Sequence, residues 1–551
     1  MNLTALIANS LWLGSSFPGF LRFRRALHRP QEAQIKLLLR CLSENATTAY
    51  GKAHDFDSIR NYQDFAQKVP LVDYDDLEPW ISRIKTGETA VLTQDRVTHL
   101  IPTSGSTGGR KLIPFTQTLQ QEFNQAIGPW ISDLYFKCPT IGLGSSYWSV
   151  TPLASSLETE SPVVPIGFED DSSYLGGSRK RLVNALMAVP PELRLVDDIA
   201  AFRYVTLLCL IRQPDLRLIS VWHPSFLTLL LDSLKTNWID LVNDVRKGSC
   251  KYASKIPAPI IASLTPCPKR ARQLKDANPN HPRSIWPHLQ VISCWGDGHA
   301  SGPANDLGQR FPGVSVQPKG LLATEAFVTF PFRGFCPLAI CSHFFEFIDD
   351  QGRIHLAHEL VQDAEYEVVV TTGGGLYRYR LNDRIKVSGF LAATPSFKFL
   401  GRNGNCSDRV GEKLSEAFVG RAIQEATVSL PESPRFALLA PEAADNGFRY
   451  TLFIEGKVDE GLAHRLDQAL KQNPHYLYCR KLGQLQSPGV FEIAGAGFEI
   501  FASHEMLRGK RLGDIKPCPL SIQTDWAKRF QSKANEIAPS RASGTDGRLD
   551  I

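Results

Sequence analysis

Ile35, Leu38, Leu39 and Leu42 recur at the i, i+3, i+4, i+7 spacing of one helix face, which predicts a helix from Pro30 that stops before Gly51. Leu216 to Trp222 is instead a short apolar run of the kind that forms a buried strand. After His223 and Pro224 the helical spacing returns at Leu227, Leu230, Leu231 and Leu234. That order, strand then loop then helix, is the repeating unit of an α/β protein. Leu289 to Cys294 before WGDG (Trp295 to Gly298), and Val368 to Thr371 before three glycines, predict further strands ending in glycine loops. Ligands of open α/β sheets bind at such strand ends.

The glycines and asparagines of Gly401 to Asn405 predict a hinge-like domain boundary, because a new periodic segment begins at Ser415. The predicted division is residues 1–402, residues 403–530 for a second domain, and a disordered tail over 531–551, whose composition is low in apolar residues. The N-terminus, MNLTALIANSLWLGSSFPGF, has no cation before Arg22. It makes a poor signal peptide and is too interrupted to span a membrane. A docking helix is the expectation, with reversible membrane-surface contact through Arg22, Arg24 and Arg25 a lesser reading.

Composition narrows the class. A chain of 551 residues is too long for one core, so two or more folded domains are expected. Sixty-one basic against 56 acidic side chains give +5, dispersed along the chain, which argues against nucleic-acid binding. Eleven scattered cysteines without a Cys-x-x-Cys pair read as reduced thiols of a cytoplasmic protein, Cys406 included as a small buried residue.

The candidate chemistry starts at TSGSTGGRK, Thr103 to Lys111, which follows the apolar Leu100 and Ile101. Gly105, Gly108 and Gly109 let several N–H groups converge on one anion, and the hydroxyls and Lys111 add donors. It is not the common P-loop, since Arg110, Lys111 and Leu112 stand where Gly-Lys-Ser/Thr is required. Composition alone favours a polar turn between two elements, since Gly/Ser/Thr clusters are mostly loops.

The segment resembles the phosphate loop of the adenylate-forming superfamily of firefly luciferase and acyl-CoA synthetases. The chain as a whole is most similar to the Gretchen Hagen acyl acid amido synthetases, an auxin-responsive plant family with bacterial-type members. NATTAYGKAHDF (Asn45 to Phe56), VPLVDYDDLEPW (Val69 to Trp80), KLIPFT (Lys111 to Thr116) and SVWHPSFLTLLLD (Ser220 to Asp232) carry the likeness. LLATE (Leu321 to Glu325), GLYRYRLNDR (Gly375 to Arg384), SDRVGEKLSE (Ser407 to Glu416) and GDIKP (Gly513 to Pro517) continue it in order. The fold implied is α/β, with a large multi-layer N-terminal adenylate-forming domain and a small mobile α+β C-terminal domain.

The resemblance also implies roles. Ser104, Gly105, Ser106, Thr107 and Lys111 would hold the phosphates of ATP. Thr324 would contact the α-phosphate or the acyl group, and Glu325 would support Mg²⁺, which takes hard oxygen ligands. Asp383 resembles the aspartate that accepts both ribose hydroxyls, and Asn382, where glycine is common, tolerates left-handed angles. Phe344 would lie near the adenine and Arg402 near the nucleotide, while Lys413 and Lys516 would be delivered by the C-terminal domain. His223 and His343 are isolated and read as structural.

These roles imply an ATP-dependent ligase that adenylates a carboxylic acid and passes the acyl group to an amino acid or amine, with no nucleic acid partner and no stable membrane insertion. A thioester-forming ligase using coenzyme A shares the first half-reaction, and a catalytically silent nucleotide-binding scaffold is the reading of another class. A serine hydrolase is disfavoured, because no Gly-x-Ser-x-Gly elbow occurs at a strand end. Val164 to Gly177 and Ser220 to Leu231 are the candidate walls of the acyl pocket.

Overall fold

The helix predicted from Pro30 forms as α2 (Pro30–Asn45), after α1 (Leu3–Ala26), and buries Leu38 and Leu42. It ends at Asn45, before Gly51 as expected, and Gly51 lies inside a separate short helix, α3 (Ala49–Ala53). A Cβ at Gly51 would collide with the Asn45 carbonyl, so this glycine allows α3 to close on the end of α2. α1 docks through Ala8, Trp12, Phe20 and Phe23, while Leu3, Ile7, Leu11 and Phe17 face outward. No helix among the described residues is long and apolar enough to cross a membrane.

The computed structural model describes residues 3–102, 111–149, 163–167, 177–196, 198–297, 300–402, 406–407, 412, 414–444, 447–481, 485–508, 510, 512 and 515–537. The chain forms two units that divide between Leu400 and Gly401. In the N-terminal unit, β1 (His99–Pro102) and β2 (Leu112–Phe115) pair as an antiparallel ribbon. A four-stranded parallel sheet follows, ordered β3 (Ser145–Trp148), β4 (Leu216–Ser220), β5 (Val291–Cys294) and β6 (Ser315–Pro318). Alternation sets its two faces. Tyr147, Ile219, Val221, Ile292 and Cys294 enter one apolar cluster, whereas Leu218 and Val291 point into the other. Leu227, Leu230, Leu231 and Leu234 of the predicted helix, observed as Pro224–Thr236, cover the first face.

Val368 to Thr371 forms a strand, but not in that parallel sheet. It belongs to β9 (Glu365–Thr371), which pairs antiparallel with β7 (Phe344–Ile348) and β10 (Tyr379–Leu391). β8 (Ile354–Leu356) and β11 (Thr394–Arg402) complete a five-stranded sheet. A glycine loop after an apolar run cannot by itself distinguish a parallel strand from an antiparallel one.

In the C-terminal unit, β12 (Cys406–Ser407) and β13 (Leu414–Ser415) form a small ribbon before the helix Glu416–Thr427, which Ser415 caps through its hydroxyl. β14 (Phe436–Ala444), β15 (Gly447–Glu455) and β16 (Gly489–Glu492) form a three-stranded sheet. Leu439, Leu452 and Ile454 face one cluster of helices and Phe436, Leu438 and Phe453 the other, so helices cover both sides. The helix Trp526–Ile537 runs past Phe530, beyond the point where composition predicts a tail. Trp526 and Phe530 are buried against Phe436, Phe453 and Phe501, and that contact orders a polar sequence which composition alone would leave unfolded. Residues 538–551 lie outside the described residues.

Candidate active site

The ends of the glycine-rich segment are fixed by pairing. Pro102 is partnered with Leu112 at the close of the ribbon, so residues 103–111 join two adjacent antiparallel strands. Ser104, Gly105, Ser106 and Thr107 lie outside the described residues. At the exit, the Leu112 N–H donates to Tyr74 Oη at 2.8 Å, and the Lys111 ammonium stands 5.6 Å from the Tyr74 ring centroid. Burial raises the Tyr74 phenol above its ordinary value, which keeps it a neutral partner.

Tyr74 opens the helix Tyr74–Lys85, capped reciprocally by Asp73 and Asp76. The residue before the cap, Val72, donates to Arg378 O and accepts from the Arg380 N–H, stitching this helix start to β10. Asn382 Nδ2 approaches Asp73 Oδ1 within 3.5 Å. One short segment, Val72 to Tyr74, therefore holds both the exit of the glycine loop and the Asp383 turn. Its role was invisible in the sequence, where VPLVDYDDLEPW read only as shared family sequence.

β10 shifts register between Arg380 and Arg384, and Asn382 adopts φ +60° there. Asparagine at that position keeps the turn that glycine would make. Asp383 sits on this bulge and is buried, so it is not half of a solvated pair with Arg384. Arg384 instead pairs with Asp350 at 2.6 Å and Glu365 at 3.1 Å. Arg380 makes a two-pronged contact to Glu367 at 2.8 and 3.0 Å.

Thr324 and Glu325 occupy a tight turn. Ala323 N–H donates to Ala326 O, Leu322 bridges Phe327, and the Val328 and Thr329 amides converge on Leu321 O. The Phe327 N–H donates to His343 Nε2 at 3.1 Å, which fixes the tautomer with hydrogen on Nδ1. That Nδ1 donates to Glu122 Oε2 at 2.9 Å, and the same carboxylate accepts the Gly373 N–H at 2.9 and 3.1 Å. Glu122 thus ties the Thr324–Glu325 turn to the glycine loop after β9. His343 has both ring nitrogens engaged and acts as a strut. The signal for Glu122 was a carboxylate at position i+3 of the buried face Leu119, Phe123, Ala126 and Trp130.

Gly373 has no room for a side chain: a Cβ would meet Thr118 Cγ2 and come within 2.9 Å of Glu122 Oε1. A Gly373→Ala variant is expected to lose about 1–3 kcal/mol by overpacking, read as a lowered denaturation midpoint. A wild-type midpoint would show that the loop can move aside.

Other positions separate from this group. Phe344 is 2% exposed, with its ring 6.1 Å from both Tyr62 and Phe65, so it is a core residue and not an open face for adenine. Arg402 ends β11, and its side chain lies outside the described residues, as does Lys413. Lys516 lies in the C-terminal unit, half-buried in a segment without helix or strand. Among the described residues no three His, Cys, Asp or Glu side chains cluster to hold a metal ion.

Three family models match the chain in order: the GH3 family N-terminal domain over residues 20–316, the central domain over 336–402 and the C-terminal domain over 417–525. The chain is 26% identical to indole-3-acetic acid-amido synthetase GH3.2 of Arabidopsis thaliana, over 83% of this chain and 85% of that one. The structure is similar to AtGH3.15 acyl acid amido synthetase in complex with 2,4-DB, with TM-score 0.82 and 19% identity over 94% of this chain and 96% of that one. A 2-hydroxyisobutyryl-CoA ligase in its postadenylation state shares the fold more distantly, with TM-score 0.50 and 12% identity over 93% and 94% of the two chains. The first family model alone spans more than half of the sequence, and the other two follow it in register with the two units: the protein belongs to the GH3 family.

Proposed function

We propose that the chain is an ATP-dependent acyl acid amido synthetase, which adenylates a small carboxylic acid with release of pyrophosphate and transfers the acyl group to an amino acid or amine with release of AMP. The observations that carry this reading are two ties in a GH3 family chain: Val72 to Tyr74 joins the exit of the glycine loop to the Asp383 bulge, and Glu122–His343 joins the Thr324–Glu325 turn to the glycine loop after β9. Curated relatives bear amido synthetase names, which supports amide formation over a thioester product.

A carboxylate is a poor electrophile, so the chain must orient it and balance charge at the α-phosphate. Lys111, beside the Tyr74 ring at the exit of the glycine loop, supplies a positive charge. Asp383, set on the bulge of β10, is assigned by resemblance to accept a pair of ribose hydroxyls. Mg²⁺ bound with the nucleotide would neutralise phosphate oxygens, and Glu325, a single buried carboxylate at the tip of a turn, fits an ion that keeps most of its ligands as water and phosphate. Arg402, Lys413 and Lys516 are assigned to the nucleotide by resemblance. The described cysteine side chains are free thiols, in keeping with a reducing, cytoplasmic compartment.

The test is exchange of labelled pyrophosphate into ATP with Mg²⁺, using pooled aromatic and aliphatic acids with and without amino acids. Exchange is expected only with acid present, and AMP release is expected to rise with an amine. Turnover driven by coenzyme A alone would replace this reading with a thioester ligase. ATP binding without exchange for any acid would favour a silent scaffold.

A further inference from the structure

The parallel sheet places one row of side chains at its C-terminal edge. Trp148, Ser220, Ser293 and Gln317 are consecutive register partners across β3, β4, β5 and β6, so their side chains share a face. Two residues further along three of those strands come Trp222, Trp295 and Lys319. This face is the one opposite Ile219, Ile292 and Cys294, and the helix Gln117–Lys137 adds Trp130, whose Nε1 donates to Gln317 Oε1 at 3.0 Å.

Lys319 is the centre of this group. It is 8% exposed, and its ammonium lies 5.4, 5.4 and 5.2 Å from the ring centroids of Trp130, Trp148 and Trp222 while donating to Ser220 Oγ at 2.6 Å. Indole faces stabilise the cation as water is removed from it. Beside it, two buried polar atoms have no hydrogen-bond partner among the described residues: Trp148 Nε1 and Ser293 Oγ. Buried donors without partners are uncommon in folded proteins and need an explanation. Here a cation and two such groups share the end of an open α/β sheet, where ligands bind, in a setting walled by indoles. The chain then leads from Lys319 through Gly320 directly into the Leu321–Glu325 turn.

We propose that Lys319 selects, among acyl acids, those with a second oxygen group, hydroxyl or carboxylate, on a flat ring remote from the carboxylate that is activated. The indoles stack on the ring, and Lys319, Trp148 Nε1 and Ser293 Oγ meet the remote oxygen. The inference rests on the synthetase reading of the same unit and names its substrate class.

The test uses benzoate and its 3- and 4-hydroxy and 3- and 4-carboxy derivatives, with two readouts. Quenching of intrinsic tryptophan fluorescence reports binding without ATP, and acid-dependent pyrophosphate exchange reports adenylation. The wild-type protein is expected to favour at least one substituted acid over benzoate by tenfold or more. In Lys319→Gln that ratio should fall close to one, and Trp148→Phe, which keeps the packing and removes one donor, should lower it about threefold. Equal binding of all five acids by the wild type, or a uniform loss across the panel in Lys319→Gln with a preserved ratio, would overturn the selection. Selective quenching without exchange would uphold the subsite and count against the synthetase reading, so the two failures are separable.

Discussion

An Arg378→Met variant is expected to lose about 3–5 kcal/mol of stability in the N-terminal unit, because removal of one partner leaves a buried charge uncompensated. Arg378 and Glu346 are 3% and 1% exposed and meet at 2.9 to 3.1 Å through two guanidinium nitrogens. The third nitrogen donates to the carbonyls of Ala66 and Val69 at 3.0 and 2.9 Å, and Tyr62 Oη adds a donor to Glu346 at 2.8 Å. Burial, and then the neighbouring Glu346 charge, raise the Tyr62 phenol, so it remains protonated and donating. Methionine would strand both the carboxylate and the two carbonyls. Tryptophan fluorescence under urea reports on the right unit, since Trp526 is the only tryptophan after Gly401. The double variant Arg378→Met, Glu346→Leu should recover part of the loss, because the buried charge leaves with its partner. A single variant within about 0.5 kcal/mol of the wild type would show that water reaches Glu346.

That ion pair shows which part of the sequence was legible. GLYRYRLNDR reads as an aromatic and basic run leading to a ligand aspartate, yet most of its side chains hold the fold. Tyr377 stacks on Tyr50 at 5.2 Å and donates to Leu92 O, Arg378 anchors Glu346, and Arg380 clamps Glu367. Within β10 the pairing shifts register between Arg380 and Arg384, at the bulge that carries Asn382 and Asp383. Sequence could nominate the aspartate and the left-handed asparagine, because backbone preference is a local property. It could not nominate the struts, because a buried arginine and an exposed one look alike until their partners, 32 residues away for Glu346, are known.

The same divide runs through the sheets. Strand and helix periodicity located β4, β5 and the helix after Pro224, since burial on one face leaves a direct record in the sequence. Pairing leaves a weaker record. β9 has the same apolar run and glycine ending as a parallel strand but lies in an antiparallel sheet. The row Trp148, Ser220, Ser293 and Gln317 was likewise unreadable, because its members come from four separate segments and only register aligns them.

Glu122→Gln is expected to slow acid-dependent pyrophosphate exchange by one to two orders of magnitude while leaving a folded protein. The carboxylate accepts from two donors, His343 Nδ1–H and the Gly373 N–H, and the latter reaches both of its oxygens. Glutamine has one acceptor oxygen: in the place of Oε2 it keeps both donors but sets its amide hydrogens against the Gly373 N–H, and in the place of Oε1 it leaves the imidazole N–H unmet. An unmet buried donor costs about 1–3 kcal/mol, which a unit of this size can absorb. The larger consequence is positional. His343 holds the Phe327 amide, two residues beyond Glu325, and a catalytic group misplaced by about 1 Å can cost roughly 100-fold in rate. The loss should therefore appear in kcat for exchange more than in the binding of the acid, whose proposed subsite lies with Lys319. It should also be matched by His343→Phe, which removes the other half of the strut. If Glu122→Gln lowered the denaturation midpoint with no change in exchange, the tie would be a packing element alone. The turn at Thr324 and Glu325 would then owe its position to its own backbone bonds.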